Sequence, residues 1–189
     1  MKERIRKLFS NVWTIPNILT MIRLILVPVF VVLFFKGYRM ASLAVFCAAS
    51  LTDMLDGYLA RKLNQITDFG KLFDPLADKL MVISAMICQA IAGVFPWSAI
   101  IIVGVKELVM VLGGLFLLNK DVVVYSNLAG KAAQVFFIAS LILAFFHEQL
   151  QTWGVQLDII FLWITVGLAV LAMVIYAFWA IKGRFHPKK

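Results

Sequence analysis

The stretch that decides the fold lies at residues 53–78 and reads DMLDGYLARKLNQITDFGKLFDPLAD. Its first half carries residues spaced three or four apart, which are Asp53, Asp56, Gly57 and Ala60. Its second half carries residues spaced four apart, which are Gly70, Asp74 and Asp78. Either spacing places the side chains on one face of a helix. Because the linker from Arg61 to Gly70 is short, we expect two antiparallel neighbouring helices whose carboxylates converge.

The composition around this stretch indicates a membrane protein. The chain of 189 residues is 63% hydrophobic, with a mean hydropathy of +0.96, whereas soluble domains average roughly 45–50% apolar residues. One soluble core of this size could not bury so much apolar surface. A membrane-spanning helix needs about 20 mostly apolar residues. The sequence therefore predicts an all-α, polytopic fold with six transmembrane helices, near 15–36, 40–62, 70–93, 97–118, 124–146 and 155–181.

The ends of the chain are basic. Residues 1–13 alternate Lys and Arg with apolar side chains, which predicts an amphipathic helix on the membrane surface. Residues 182–189 form a basic tail, and the six-helix core between them, 15–181, completes a single domain covering 1–189. No compact basic patch favours nucleic acid as a partner.

The distribution of charge predicts the orientation. Most basic residues near the span ends lie on the side of both termini, whereas the turns at 93–97 and 147–158 contain no Lys or Arg. Lys36 and Arg39 run against this pattern. The majority predicts cytoplasmic termini, with the aspartates at the cytoplasmic face of a bacterial cell membrane.

The four aspartates predict a metal site. Carboxylates crowded at a membrane boundary repel one another and are costly to bury unless a cation compensates them. An all-oxygen cluster suits Mg²⁺, Mn²⁺ or Ca²⁺. The alternative is that they pair with nearby cations, which are Arg61, Lys62, Lys71 and Lys79. Asp74-Pro75 could also be a helix start, with Asp as the cap and Pro in the first position.

The pattern D-x2-D-G-x2-A-R-x8-G-x3-D-x3-D closely resembles the signature of the CDP-alcohol phosphatidyltransferase family, and every fixed position is matched. The resemblance extends over essentially the whole chain and implies a homodimeric six-helix membrane enzyme with two Mg²⁺ or Mn²⁺ ions. It implies that Asp53, Asp56 and Asp74 are metal ligands and that Asp78 completes the site as general base. It further implies that CDP-diacylglycerol binds at a site formed by Gly57, Ala60, Arg61 and Gly70 together with Asp53.

A polar stripe marks the first span. Asn17, Thr20 and Arg23 are three residues apart on an otherwise apolar helix. Helix capping plus one snorkelling arginine is the structural explanation. Family members often carry a similar P-N-x-L-T-x-x-R segment, which instead implies a wall of the nucleotide and phosphate pocket.

The remaining candidate residues point to the acceptor. An expected acceptor phosphate-binding pocket comprises Arg23, Lys79, Lys106, Lys131 and Gln134, because basic side chains suit a phosphorylated acceptor. Lys106-Glu107 could instead be a buried structural pair, and Lys131 an interface anchor. His147 and His186 have no partner at metal-ligand spacing and are assigned no role.

The implied reaction moves a phosphatidyl group from CDP-diacylglycerol to glycerol 3-phosphate, since family members using that acceptor resemble the chain around Gly130-Lys131. Inositol phosphate, phosphatidylglycerol (for cardiolipin) and serine remain alternative acceptors. A small cation transporter using the four aspartates is the alternative from another class.

Overall fold

The computed structural model describes residues 14–63, 67–118 and 128–181, and these contain helices and no strand. The helices are α1 (Ile15–Phe35), α2 (Arg39–Lys62), α3 (Asp68–Ile91), α4 (Trp97–Leu118), α5 (Leu128–Ala144), α6 (His147–Thr152) and α7 (Leu157–Ile181). The all-α prediction is confirmed, and the six long helices coincide with the six predicted spans to within a few residues. The predicted surface helix 1–13 and basic tail 182–189 lie outside the described residues. The short helix α6 was not predicted, because the sequence there was interpreted as a turn.

Two helices in the described part of the chain are long and apolar enough to cross a membrane. They are α1 and the segment Leu157–Phe178 of α7. Helix α5 is apolar but shorter. The structure thus bears out an all-helical protein with two helices that are long and apolar enough to cross a membrane, whereas the full count of six spans stays a prediction.

Helix α1 has its apolar side chains outside and its polar ones inside. The exposed side chains recur every three or four residues and are Ile15, Ile18, Ile22, Ile25, Val29 and Val32. The buried side chains include Asn17, Thr20 and Arg23, none more than 1% exposed. A water-facing helix shows the opposite arrangement. The exposed aliphatic stripe therefore suits lipid, where polar groups must be satisfied inside the protein.

The first compact unit ends at Cys88 and contains α1, α2 and most of α3. Helices α1 and α2 form a hairpin whose turn includes Gly37 at φ 81°. That left-handed conformation favours glycine and closes the helix end, with Tyr38 N–H donating to the carbonyl of Leu33 at 3.0 Å. Buried Phe30 and Phe46 pack between the helices with ring centroids 6.2 Å apart. This packing brings the polar stripe of α1 against α2.

The second compact unit begins at Gln89. Helix α7 packs extensively against α5 and also against α4. Phe136 of α5 and Phe161 of α7 make an edge-to-face contact at 5.3 Å. Small residues on the buried side of α7, Ala169 and Ala172, allow neighbouring helices to approach closely.

A buried polar pair closes the α5–α7 connection. His147 Nδ1, at the start of α6, lies 2.6 Å from Asp158 Oδ2 in the first turn of α7. Asp158 is fully buried, and Gln151 Nε2 lies 2.9 Å from His147 Nε2. The sequence assigned His147 no role, yet the structure gives it a carboxylate partner eleven residues away.

Candidate active site

The amino-terminal turn of α1 positions the polar stripe. Thr14 caps the helix, and its hydroxyl accepts a hydrogen bond from the Asn17 N–H at 3.4 Å. Pro16 lies in the first turn, where its missing N–H costs no helical hydrogen bond. The capping interpretation of this segment is therefore correct as far as Thr14 and Pro16 are concerned. Asn17, Thr20 and Arg23 have other partners.

Arg23 pairs with the first aspartate of the motif. Its Nη1 donates a hydrogen bond to Asp53 Oδ1 at 2.7 Å. The side chain of Arg23 is 1% exposed, whereas that of Asp53 is 42% exposed. The structure thus places the guanidinium on the buried side of Asp53, while the carboxylate keeps access to the surface. The snorkelling interpretation is wrong, because Arg23 is buried against a partner.

Thr20 pairs with the third aspartate. Its fully buried hydroxyl donates to Asp74 Oδ1 and lies 3.1 Å from the carbonyl of Pro16. An ionised carboxylate is the stronger acceptor for the single hydroxyl proton. Asp53 and Arg23 both lie within electrostatic range of the Asp74 carboxylate. Because Thr20 and Arg23 lie about one turn apart on α1, their contacts place Asp74 of α3 and Asp53 of α2 along the same side of that helix.

Thr67, which the sequence analysis missed, ties the start of α3 to α1. Its hydroxyl accepts from the Gly70 N–H at 3.0 Å and donates to Asn17 Oδ1 at 2.8 Å. The sequence did contain a signal for this helix start, because threonine is a preferred N-cap residue and Thr67 directly precedes α3. Because α3 begins at Asp68, Asp74 lies inside the helix, and the interpretation of Asp74-Pro75 as a helix start is wrong.

Gly70 makes room for this cluster. A Cβ at this position would lie 3.0 Å from Asn17 Oδ1, 3.2 Å from Thr67 Oγ1 and 3.3 Å from Asp74 Oδ2. Those distances are shorter than ordinary contacts of a methyl group. Glycine thus fits the close approach of α1 and α3 beside Asp74 without displacing these side chains.

The donor set suits a hard divalent cation. Asp53 and Asp74 come from two helices, and Arg23 and Thr20 donate to Oδ1 of these two carboxylates. Oxygen donors of this kind are those that Mg²⁺ and Mn²⁺ prefer. Asp78 is half-buried further along α3, beside half-buried Lys79.

The remaining residues of the motif belong to α2, and their side chains lie outside the described part of the structure. They are Asp56, Gly57, Ala60 and Arg61. Among the side chains that are described, no three His, Cys, Asp or Glu residues form a complete metal site.

The residues predicted for the acceptor have different environments. Lys106 on α4 is mostly buried, at 18% exposure, and its Nζ lies 2.5 Å from Glu107 Oε1. This contact agrees with the structural-pair alternative. Lys131 and Gln134 are exposed on α5. Contact of these side chains with an acceptor stays a prediction.

Comparison with known proteins identifies the family. The model of the CDP-alcohol phosphatidyltransferase family matches residues 13–180, which include the whole of the aspartate motif. The chain belongs to the CDP-alcohol phosphatidyltransferase family. The predicted family resemblance is thereby confirmed.

Several members of this family with related sequences carry the name CDP-diacylglycerol–glycerol-3-phosphate 3-phosphatidyltransferase. One from Bacillus subtilis is 34% identical over 150 residues, covering 69% of this chain and 77% of the relative. One from Pseudomonas fluorescens is 51% identical over 76 residues, covering 39% of each protein. A probable phosphatidylglycerophosphate synthase from Mycobacterium tuberculosis is 34% identical over 120 residues, covering 60% of this chain and 57% of the relative. The matches thus span from about two fifths to about three quarters of these relatives.

Proposed function

We propose that this chain transfers the phosphatidyl group of CDP-diacylglycerol to glycerol 3-phosphate, giving phosphatidylglycerol phosphate and CMP. The observation that carries the proposal is the convergence of Asp53 and Asp74 within the complete aspartate motif of a CDP-alcohol phosphatidyltransferase. The names of the relatives supply the choice of glycerol 3-phosphate as acceptor. The same family match favours transferase chemistry over the transporter alternative.

The four aspartates would hold the metal and move the proton. Two Mg²⁺ or Mn²⁺ ions at Asp53, Asp56, Asp74 and Asp78 would neutralise the diphosphate and stabilise CMP as the leaving group. Asp78 would accept the proton of the acceptor hydroxyl. The hydroxyl oxygen forms a bond to the phosphorus that carries diacylglycerol as the bond from that phosphorus to CMP breaks.

The other residues of the site would bind the two substrates. Gly57 and Ala60 would leave room for the cytidine nucleotide, Arg61 would contact the diphosphate, and Asn17 would belong to the wall behind them. Gly70 and Thr20 were predicted at the same site, but the space beside Gly70 is occupied by neighbouring side chains, and Thr20 contacts Asp74, which supports a different role. Lys79, Lys106, Lys131 and Gln134 would hold the phosphate and hydroxyls of the acceptor. Arg23 was predicted among them, but its contact with Asp53 supports a different role.

The setting that we propose is a bacterial cytoplasmic membrane. Six spans, cytoplasmic termini and a homodimer complete the proposal, with the active site facing the cytoplasm. The exposed aliphatic stripe of α1 and the asymmetric distribution of basic residues support it.

The experiment that tests this function measures CMP release from CDP-diacylglycerol by the purified protein in detergent with Mg²⁺ or Mn²⁺. We expect release with glycerol 3-phosphate and background release without an acceptor, with inositol phosphate, phosphatidylglycerol and serine compared in parallel. Asp53→Asn, Asp56→Asn and Asp74→Asn provide the inactive controls. CMP release that depends on one of the other acceptors would show that the chain uses that acceptor instead of glycerol 3-phosphate. No CMP release with any acceptor would contradict the proposal.

A further inference from the structure

We propose that Thr20 and Arg23 are positioning residues that orient the metal-binding carboxylates from α1 without touching either substrate. The proposal rests on the metal site of the proposed function. It gives the stripe on the first helix a role that differs from the pocket wall and the acceptor contact predicted from sequence.

Burial is the first support. Thr20 is 0% exposed and Arg23 is 1% exposed, so neither side chain presents surface to an incoming substrate. Asp53, which Arg23 contacts, is 42% exposed. Arg23 therefore lies in the interior, and the carboxylate of Asp53 lies between it and the open side of the site.

The pairing is the second support. Thr20 engages Asp74 on α3, and Arg23 engages Asp53 on α2, so one helix face supports carboxylates from two other helices. In each contact the accepting atom is Oδ1, so the Oδ2 atom of the same carboxylate takes no part in that contact. Hydrogen bonds to ionised carboxylates are stronger and more directional than neutral ones. Partners of this kind fix the orientation of metal ligands, and their loss typically weakens metal affinity or activity about 10- to 100-fold.

Charge is the third support. Asp53 and Asp74 lie within electrostatic range of each other and of Arg23. Two neighbouring carboxylates repel, and a buried guanidinium needs an anionic partner. Arg23 therefore reduces the repulsion between the carboxylates and holds Asp53 in place before a cation binds.

The test measures Mn²⁺ affinity of the purified protein, from the electron paramagnetic resonance signal of free Mn²⁺, and needs no turnover. Thr20→Val keeps the shape of the side chain and removes the hydroxyl, so we expect Mn²⁺ to bind about 10- to 100-fold more weakly. Thr20→Ser restores the hydroxyl and should bind close to the wild-type value. Thr165→Val is the matched control, because Thr165 is also a buried threonine and its hydroxyl donates to the Phe161 carbonyl at 2.9 Å. It should leave Mn²⁺ affinity unchanged.

Arg23→Lys tests the contact between Arg23 and Asp53, and it provides the test of the proposal if Thr20→Val does not fold. It keeps the charge but loses the planar guanidinium, so Mn²⁺ affinity should fall. At saturating Mn²⁺ the KM for glycerol 3-phosphate should equal that of the wild type. A raised KM at saturating Mn²⁺, with wild-type Mn²⁺ affinity, would instead make Arg23 an acceptor ligand and overturn its positioning role.

Parallel CMP-release measurements separate the two proposals. Wild-type Mn²⁺ affinity in Thr20→Val, in a protein whose wild type releases CMP with glycerol 3-phosphate, would overturn positioning alone. Weakened affinity in a protein that releases no CMP with any acceptor would overturn the proposed function and leave positioning intact. If Thr20→Val lowers the melting temperature but leaves the Mn²⁺ affinity unchanged, Thr20 contributes only to packing and the inference is overturned.

Discussion

At the residue scale, Gly70 shows how little space the site leaves. A methyl group there would meet side-chain oxygens of Asn17, Thr67 and Asp74 at 3.0–3.3 Å, so these side chains would have to shift by a few tenths of an ångström. We expect Gly70→Ala to lower stability by about 1–3 kcal/mol, as overpacking does, and to reduce CMP release by displacing Asp74. Thermal unfolding and turnover measure the two effects.

Gly167→Ala is the control for that substitution. A Cβ at Gly167 in α7 meets nothing within 4 Å, and alanine is the better helix former by about 1 kcal/mol. We expect unchanged turnover and an equal or higher melting temperature. If both glycine variants behave alike, the close approach at Gly70 has no functional consequence.

Asp78 is the residue for which binding and chemistry should separate. It lies one turn beyond Asp74 on the same face of α3 and is half-buried. In its proposed role as the general base, it is needed for proton transfer more than for holding the nucleotide. We expect Asp78→Asn to retain most CDP-diacylglycerol affinity while kcat collapses, with both measured on one purified preparation. Equal losses of affinity and turnover would make Asp78 a metal ligand only.

Lys131 gives the cleaner test of the acceptor pocket. Lys106 is paired with Glu107, so its removal also disturbs that contact, whereas Lys131 is exposed on α5. Loss of a charge-assisted phosphate contact costs about 1.5–3 kcal/mol, so Lys131→Ala should raise the KM for glycerol 3-phosphate about 10- to 100-fold. The KM for CDP-diacylglycerol should change little. Lys36→Ala, an exposed lysine at the end of α1, is the control, and equal changes in both KM values would indicate a structural role for Lys131.

At the element scale, the connection between α5 and α7 depends on the pair of His147 and Asp158. Asp158 is 0% exposed and His147 is 16% exposed, and their contact fastens α6 to the first turn of α7. Leaving a buried hydrogen-bonding group without its partner costs about 1–3 kcal/mol, and partial exposure of His147 lowers that figure. We expect Asp158→Asn to reduce the melting temperature clearly.

Glu148→Gln is the matched control for this pair, because it makes the same change from acid to amide at an exposed position of α6. It should leave the melting temperature close to that of the wild type. An equal melting temperature for Asp158→Asn and the wild type would show that the pair contributes little to stability.

The long helices were predictable because each contains an apolar run, and the positions of such runs are local properties of the sequence. Helix α6 was not, because six residues of mixed polarity carry no strong periodic signal. Its position follows from contacts such as that of His147 with Asp158, which lies beyond the helix itself. The alternative helix start at Asp74-Pro75 was also wrong, whereas the predicted span from residue 70 was close, since Thr67 precedes the start of α3 at Asp68.

At the scale of the whole molecule, the proposed topology can be tested by cysteine labelling. In a variant lacking Cys47 and Cys88, a cysteine introduced by Ala92→Cys should react with a membrane-impermeant maleimide added to whole cells. Ala92 is exposed at the turn before α4, whereas neighbouring Phe95 is only 2% exposed and would label poorly. A cysteine introduced by Gln65→Cys, in the linker between α2 and α3, should react only after the cells are opened. The reverse pattern would contradict cytoplasmic termini.

The sequence by itself determined the helical class, the positions of the long helices and the aspartate motif. These depend on short-range periodicity and on residue types at set spacings, which can be read without knowing how the helices pack. The family followed from the same motif and was confirmed by the match over residues 13–180.

Only the tertiary structure decided which partner each buried polar side chain of α1 takes. The contacts of Arg23 with Asp53, Asn17 with Thr67 and Thr20 with Asp74 join residues 30, 50 and 54 positions apart. No local pattern encodes such pairs, because they depend on the packing and rotation of three helices. Arg23 was therefore predicted from the sequence as an acceptor ligand, whereas in the structure it contacts the carboxylate of Asp53.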